Sequence, residues 1–291
     1  MREFPGLIWF ALPWVGAVLA AGAWYAFALR RASTPHPRGK VLCFYAGLTL
    51  VLVTTVSPLE HYGNQALWIA FAGFLVLTMV AAPLLVLGSP LTLAFRASGK
   101  SRRRTFRNIY RGSVMSLLGF PLFSWLAFAI TTYMWQFSRF TESAARQAPV
   151  RELQLASLLA VSILFWMPAL CADPMRWRMA HPLRVLYVLV EMVHKALFGG
   201  MFLSMTAPFH KNFPSADAWW APEALLDQRF SILILWIGGN MIFLVALAGL
   251  AVHWLRYETR QTRRTDLVLA KQREAERRRN AALEQVFNRG H

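Results

Sequence analysis

Glu191, His194 and Lys195 stand in the apolar run "EMVHKALFGGMFLSM", where helical spacing sets the carboxylate one turn from both basic groups. Such a trio at membrane depth has two readings. It is an ion pair that fixes helix packing, with Gly199 and Gly200 one turn on allowing close helix contact, or it is a metal, proton or quinone site. Met192, Met201 and Met205 share the region, and Met79, Met134 and Met241 lie on other segments. Thioethers with imidazoles are the donors a soft copper(I) ion selects, although methionine also packs apolar cores. His61 beside Glu60 and His210 beside Lys211 close the ends of two hydrophobic stretches, where they could meet. No HExxH, CxxC, nucleophilic Ser or Cys set or phosphate-cradling glycine loop is legible, so the residues point away from an enzyme.

These groups are carried by seven apolar stretches: Leu7–Leu29, Val41–Val56, Ala66–Leu87, Gly112–Trp135, Leu153–Leu170, Leu183–Met205 and Ser231–Trp254. Most approach the roughly 20 residues that cross a hydrocarbon core as helix. They are continuous runs without the alternation of a membrane barrel. The expected fold is all-α: a polytopic membrane protein with seven transmembrane helices over residues 1–255 and a basic, helix-forming tail over 256–291. Mean hydropathy of +0.39 fits this class, as does the recurrence of Trp near proposed helix ends. Cys43 and Cys171 alone provide no disulfide framework.

Of 31 Lys and Arg residues, 24 fall in alternate polar segments: four in Arg30–Lys40, seven in Arg96–Arg111, three in Ala172–Arg184 and ten in the tail. This bias puts the N-terminus outside and the C-terminus in the cytoplasm. The first stretch, followed by Arg30 and Arg31, reads as an N-out anchor and not a cleaved leader. The net charge of +17 then belongs to an inner collar meeting anionic lipid, with Arg102, Arg103, Arg104, Arg277, Arg278 and Arg279 as headgroup contacts. A nucleic-acid face would need aromatics among these arginines, and few are present. The tail helix lies on the membrane surface, packs on a partner, or serves as a solubilising extension.

The long outer segment "APFHKNFPSADAWWAPEALLDQRF" offers Phe209, Phe213, Trp219 and Trp220 as an aromatic docking surface, with Asp227 and Gln228 set to cap the last helix and bond across the loop.

"SPLE" from Ser57, "LTMVAAPLLVLGSPL" from Leu77, "LFWMPAL" from Leu164, "HPLRVLYVLVEM" from His181 with its following "ALFGG", and "LLDQRFSILILWIGG" from Leu225 resemble, in order and spacing, the caa3-type cytochrome c oxidase assembly factor family. The resemblance implies a bacterial inner-membrane protein that handles copper at the outer face of the oxidase during maturation, without catalysis of its own. Copper is the candidate cofactor, and lipids and respiratory membrane proteins are the partners. Histidines of the family match Ala70, Gly73, Gln136 and Leu155 here. Two functions therefore stand open. The chain is an assembly factor whose soft ligands have moved to His61, His194, His210 and nearby methionines, or it is a scaffold or accessory subunit of another complex with copper binding lost.

Overall fold

The computed structural model describes residues 7–56, 62–99, 108, 112–213 and 221–289. His61, Arg102, Arg103, Arg104, Trp219 and Trp220 lie outside the described residues. All regular structure among the described residues is helical. The chain forms two compact units, residues 1–245 and 246–291.

In the first unit α1 (Leu7–Arg31) and α2 (Arg38–Val56) form an antiparallel pair. Helix α3 (Leu67–Leu75) continues through a π-helical turn, Val76–Ala81, into α4 (Ala82–Leu87). Pro83 accounts for that turn, because it has no N–H for the carbonyl four residues back and its ring crowds that turn of helix. In the five-residue pairing of the π turn the carbonyl that residue 83 would answer is that of Thr78, and its oxygen is taken instead by the Trp166 indole, 3.0 Å away. After Gly88 and the left-handed Ser89 (φ 51°), α5 runs Pro90–Ala97. Then follow α6 (Ser113–Leu118), α7 (Pro121–Gln136), α8 (Phe140–Arg146), α9 (Ala148–Leu170), α10 (His181–Leu203) and α11 (Ala224–Leu233). A second π-helical turn, Ile234–Gly238, leads into α12 (Gly239–Arg289). The second unit is helical from Ala246 to Arg289, and Arg277, Arg278 and Arg279 are exposed on it.

Six helical segments among the described residues are long and apolar enough to cross a membrane. The stretch expected at Gly112–Trp135 is divided in two and is not among these six. Pro121 holds Phe120 in an extended conformation (ψ 122°) and ends α6, leaving α7 with 16 residues.

Aromatic packing fixes the helices around α9. Trp166 and Phe165 are buried, with Phe165 stacked on Tyr187 of α10 at 4.9 Å and close to Phe128 of α7 at 4.7 Å. Phe243 closes the same cluster 5.6 Å from Trp166. Gly199 lets α10 approach the π-helical turn before α12, since a Cβ there would meet Trp236 at 3.0 Å.

Candidate functional site

Three groupings of polar side chains occur at or toward one end of the first unit, where α2, α7 and α10 finish and α3, α9 and α11 begin. Their assembly starts from a helix that cannot cap itself. Ala66 occupies the N-cap of α3 and has no side-chain acceptor, so the first N–H groups of that helix need one from elsewhere. Asp227 provides it: Oδ2 accepts from the Leu67 N–H and Oδ1 from the Trp68 N–H, both at 2.8 Å. The expectation that Asp227 caps its own helix is therefore corrected, because its carboxylate sits on the positive end of α3. Gln228 Oε1 accepts from the Phe209 N–H at 2.6 Å, tying the loop after α10 to α11. Both side chains are buried.

A matching device closes the opposite end. Asp173 accepts from the Leu91 and Thr92 N–H groups at 3.3 and 2.7 Å and from the Thr92 hydroxyl at 2.5 Å, capping α5. Ser89 is held there by Lys40 and the Ala172 carbonyl. Sequence reading passed over Asp173, whose only signal is a carboxylate in an otherwise basic loop.

The first grouping lies on α10. His194 Nδ1 is 3.4 Å from Glu191 Oε2 and 3.3 Å from the Tyr133 hydroxyl. The imidazole is walled by Trp125, Tyr133 and Phe198. Lys195 turns toward Met79, with Nζ 3.8 Å from Sδ, and lies over the Phe128 and Phe243 rings. The structure thus divides the trio, and the close partner of Glu191 is His194. Glu191 is 1% exposed, and its Oε2 and the Thr132 hydroxyl make no hydrogen bond among the described residues. Both residues belong to the wall between α7 and α10, where Glu191 lines a cavity of about 30 Å³ together with Thr132 and Gln136. That volume holds a water molecule that would satisfy them.

The second grouping is His210, 6% exposed, in the loop after α10. Its Nε2–H donates to the Gln136 carbonyl oxygen at 2.9 Å, the end of α7. The Nδ1 lone pair is buried and finds no partner among the described residues. Burial holds the imidazole below its usual range, partly offset by the Gln136 bond and by Glu142 nearby. The folded-state value being depressed from 6.5, the unfolded chain binds the extra proton first as pH falls. Stability associated with this residue is therefore complete above that value and declines as pH drops through it. We expect thermal unfolding midpoints to fall between about pH 7 and pH 5 and the slope to flatten in a His210→Gln variant.

The third grouping surrounds a cavity of about 130 Å³ enclosed by α2, α3, α8 and α9. Ala70 and Gly73 of α3 and Leu155 of α9 line it, which brings together three of the positions where the resemblance places histidines. Gln136, the fourth, lines the smaller cavity instead. The polar members of the 130 Å³ cavity are Thr54, Asn64, Thr141, Arg151 and Gln154, with Arg151 donating to Asn64 Oδ1.

Copper fits these groupings poorly as a set. The 130 Å³ cavity has no imidazole, thiol, thioether or carboxylate among its lining residues, and a guanidinium opposes a cation. Among the described residues no three His, Cys, Asp or Glu side chains form a ligand group. Met201 is exposed, and Met192 and Met205 are partly so. Cys171 lies at the opposite end, and burial pushes its thiol up, away from the thiolate a metal needs. Two imidazoles among the described residues pair Nε2 with a backbone carbonyl and keep a buried, unpartnered Nδ1: His210 on Gln136 at this end and His36 on Gly88 at the other. Of the aromatic outer residues, Phe209 is exposed, whereas Phe213 packs on the core and lines the 130 Å³ cavity.

Residues 23–257 match a family model described as cytochrome c oxidase caa3 assembly factor. Similar proteins include uncharacterized proteins of Mycobacterium bovis and Mycobacterium tuberculosis, each 26% identical over 260 residues, and one of Mycobacterium leprae, 25% identical over 246. The alignments cover 86% of this chain for the first two and 82% for the third. They span 39% and 37% of the relatives' own lengths. No solved structure matches the chain.

Proposed function

This chain belongs to the cytochrome c oxidase caa3 assembly factor family, and we propose from that membership that it assists maturation of the oxidase copper centre without catalysing a reaction itself. The observation that carries the reading is the family match over residues 23–257, which covers the helices and loops that build all three polar groupings. Helix α7, about 24 Å long at 1.5 Å per residue, completes a seventh span together with α6. The end bearing Asp227 and His210 faces outward, and the basic segments face the cytoplasm of a bacterial inner membrane. Arg102, Arg103, Arg104, Arg277, Arg278 and Arg279 then meet lipid headgroups.

Within that frame His210 is the candidate imidazole ligand, its buried Nδ1 reaching a copper ion only when the loop after α10 moves, and the remaining ligands come from His61, the methionines or the client protein. Phe209, Trp219 and Trp220 supply the docking area, with Gln228 holding the backbone of Phe209 in place. Glu191, His194 and Lys195 work from within the helices, keeping α7 and α10 in register below the loop.

The test is the copper-to-haem ratio of the oxidase purified from cells carrying the wild-type chain, a deletion, or His210→Ala. The deletion lowers the ratio, and His210→Ala lowers it toward the deletion value while the chain remains in the membrane at normal abundance. An oxidase with full copper in the deletion strain overturns the assembly reading. Full copper in His210→Ala alone removes His210 from it.

A further inference from the structure

A second, larger cavity of about 440 Å³ lies between α1, α2, α4, α5, α6 and α9 and reaches the loop after α9. Among its described lining residues only Asp173, Arg176 and the indoles of Trp14 and Trp177 carry polar side-chain atoms, and the others are apolar. The Trp14 indole donates to Glu152, and the Trp177 indole donates to the Ser116 carbonyl and hydroxyl oxygens, both at 3.1 Å. Asp173 is engaged by the start of α5. The interior is therefore a surface for hydrocarbon, since water finds no partners on it and an empty volume forfeits the contacts of its walls.

The two ends of the cavity differ. At one, the bond between Trp14 and Glu152 joins α1 to the start of α9. At the other, Arg176 stands at the rim with Arg178 two residues on, both exposed, and Lys40 is tied to Ser89, which bonds the Ala172 carbonyl. Asp173 is the one acidic residue between Ala172 and Arg184, so this end carries net positive charge. A lipid phosphate is drawn there by the summed field and adds to the contacts Arg176 makes within the chain, because a guanidinium has five donors. Volume sets the size of the apolar part: about 150 Å³ accommodates the six carbons of benzene, so roughly three times that volume holds about 18. Along α9 the wall extends from Leu159 to Met167, about 12 Å at 1.5 Å per residue. We infer that this cavity holds one acyl chain of an anionic glycerophospholipid, its methylenes along α1 and α9 and its phosphate at the Arg176 end. The inference rests on the membrane placement of the helices and not on copper handling, so either can fail alone.

Ala17 lines the cavity from α1 and is exposed, so Ala17→Phe takes up the space without entering the helix core. The experiment is native mass spectrometry of the full chain, washed in mild detergent and equilibrated with equal amounts of dioleoylphosphatidylglycerol and dioleoylphosphatidylcholine. One phospholipid stays on each chain, the anionic lipid exceeds the zwitterionic one by roughly tenfold, and Ala17→Phe loses it. In the double variant Arg176→Gln, Arg178→Gln the lipid remains and the ratio falls toward one. Absence of a retained phospholipid on the wild-type chain overturns the inference, as does equal uptake of the two lipids or full retention in Ala17→Phe. Displacement of the lipid by an equal amount of an isoprenoid quinone assigns the cavity to a quinone and overturns it too. Should Ala17→Phe fail to fold, the arginine variant decides, and an unchanged lipid ratio there overturns the inference.

Discussion

Replacing Asp227 with alanine lowers the stability of the first unit by roughly 2–4 kcal/mol, because one carboxylate satisfies two buried donors at once. Ala66 cannot take over as a cap, and water has poor access to a side chain that is 5% exposed. An isolated helix cap is worth about 1 kcal/mol. The larger figure reflects two bonds to a charged acceptor at a buried helix start. The measurement is unfolding of the purified chain in mixed micelles of mild detergent and dodecyl sulfate, paired with amide exchange at Leu67 and Trp68. Both amides exchange faster in Asp227→Ala, and Asp227→Asn falls between, since a neutral amide offers only one oxygen. Unchanged exchange at those two amides would falsify the capping role. Loop order suffers as well, because Gln228 follows directly and holds Phe209.

A second large effect is expected at Gly88, which follows α4 and abuts Phe44 of α2. A Cβ there would lie 2.7 Å from Phe44 Cβ and 3.0 Å from Phe44 Cδ2, inside any tolerable contact. Phe44 cannot swing aside cheaply, because its ring stacks on Tyr25 at 3.9 Å between centroids. The Gly88 carbonyl also accepts from the Tyr25 hydroxyl at 2.8 Å and lies 3.1 Å from His36 Nε2, so a displaced backbone loses those bonds with it. Gly88→Ala therefore costs about 1–3 kcal/mol from overpacking alone. Gly200→Ala is the control: that position is open and helical, and alanine there is neutral to stabilising by up to about 1 kcal/mol. Equal unfolding curves for the two variants would sink the steric argument.

The apolar stretches were legible because hydrocarbon thickness imposes a length, and that length survives in the chain wherever a single helix crosses. Within Gly112–Trp135 the composition reads through the Gly119, Phe120 and Pro121 break that divides the stretch into α6 and α7. Helical spacing correctly placed His194 against Glu191, yet it could not show that Lys195 turns toward Met79 and two rings, contacts that depend on other helices. Asp227 was visible as a capping residue and its target was not, since the helix it caps begins 160 residues earlier. The 130 Å³ cavity had an indirect signal. Ala70, Gly73 and Leu155 are smaller or less polar than the histidines the family resemblance led one to expect, and three small departures around one point leave space.

The two aspartates that close helix starts also set an order of events during synthesis. Leu67 and Trp68 enter the membrane with their N–H groups unanswered, and Asp227 is made 160 residues later. At about 5–20 residues per second that is a wait of roughly 8–32 s. Leu91 and Thr92 wait about half as long for Asp173, which is 82 residues beyond Leu91. A nascent chain interrupted before residue 227 therefore holds a third hydrophobic segment whose entry point is unfinished. Until that late carboxylate arrives, the start of α3 stays unclosed.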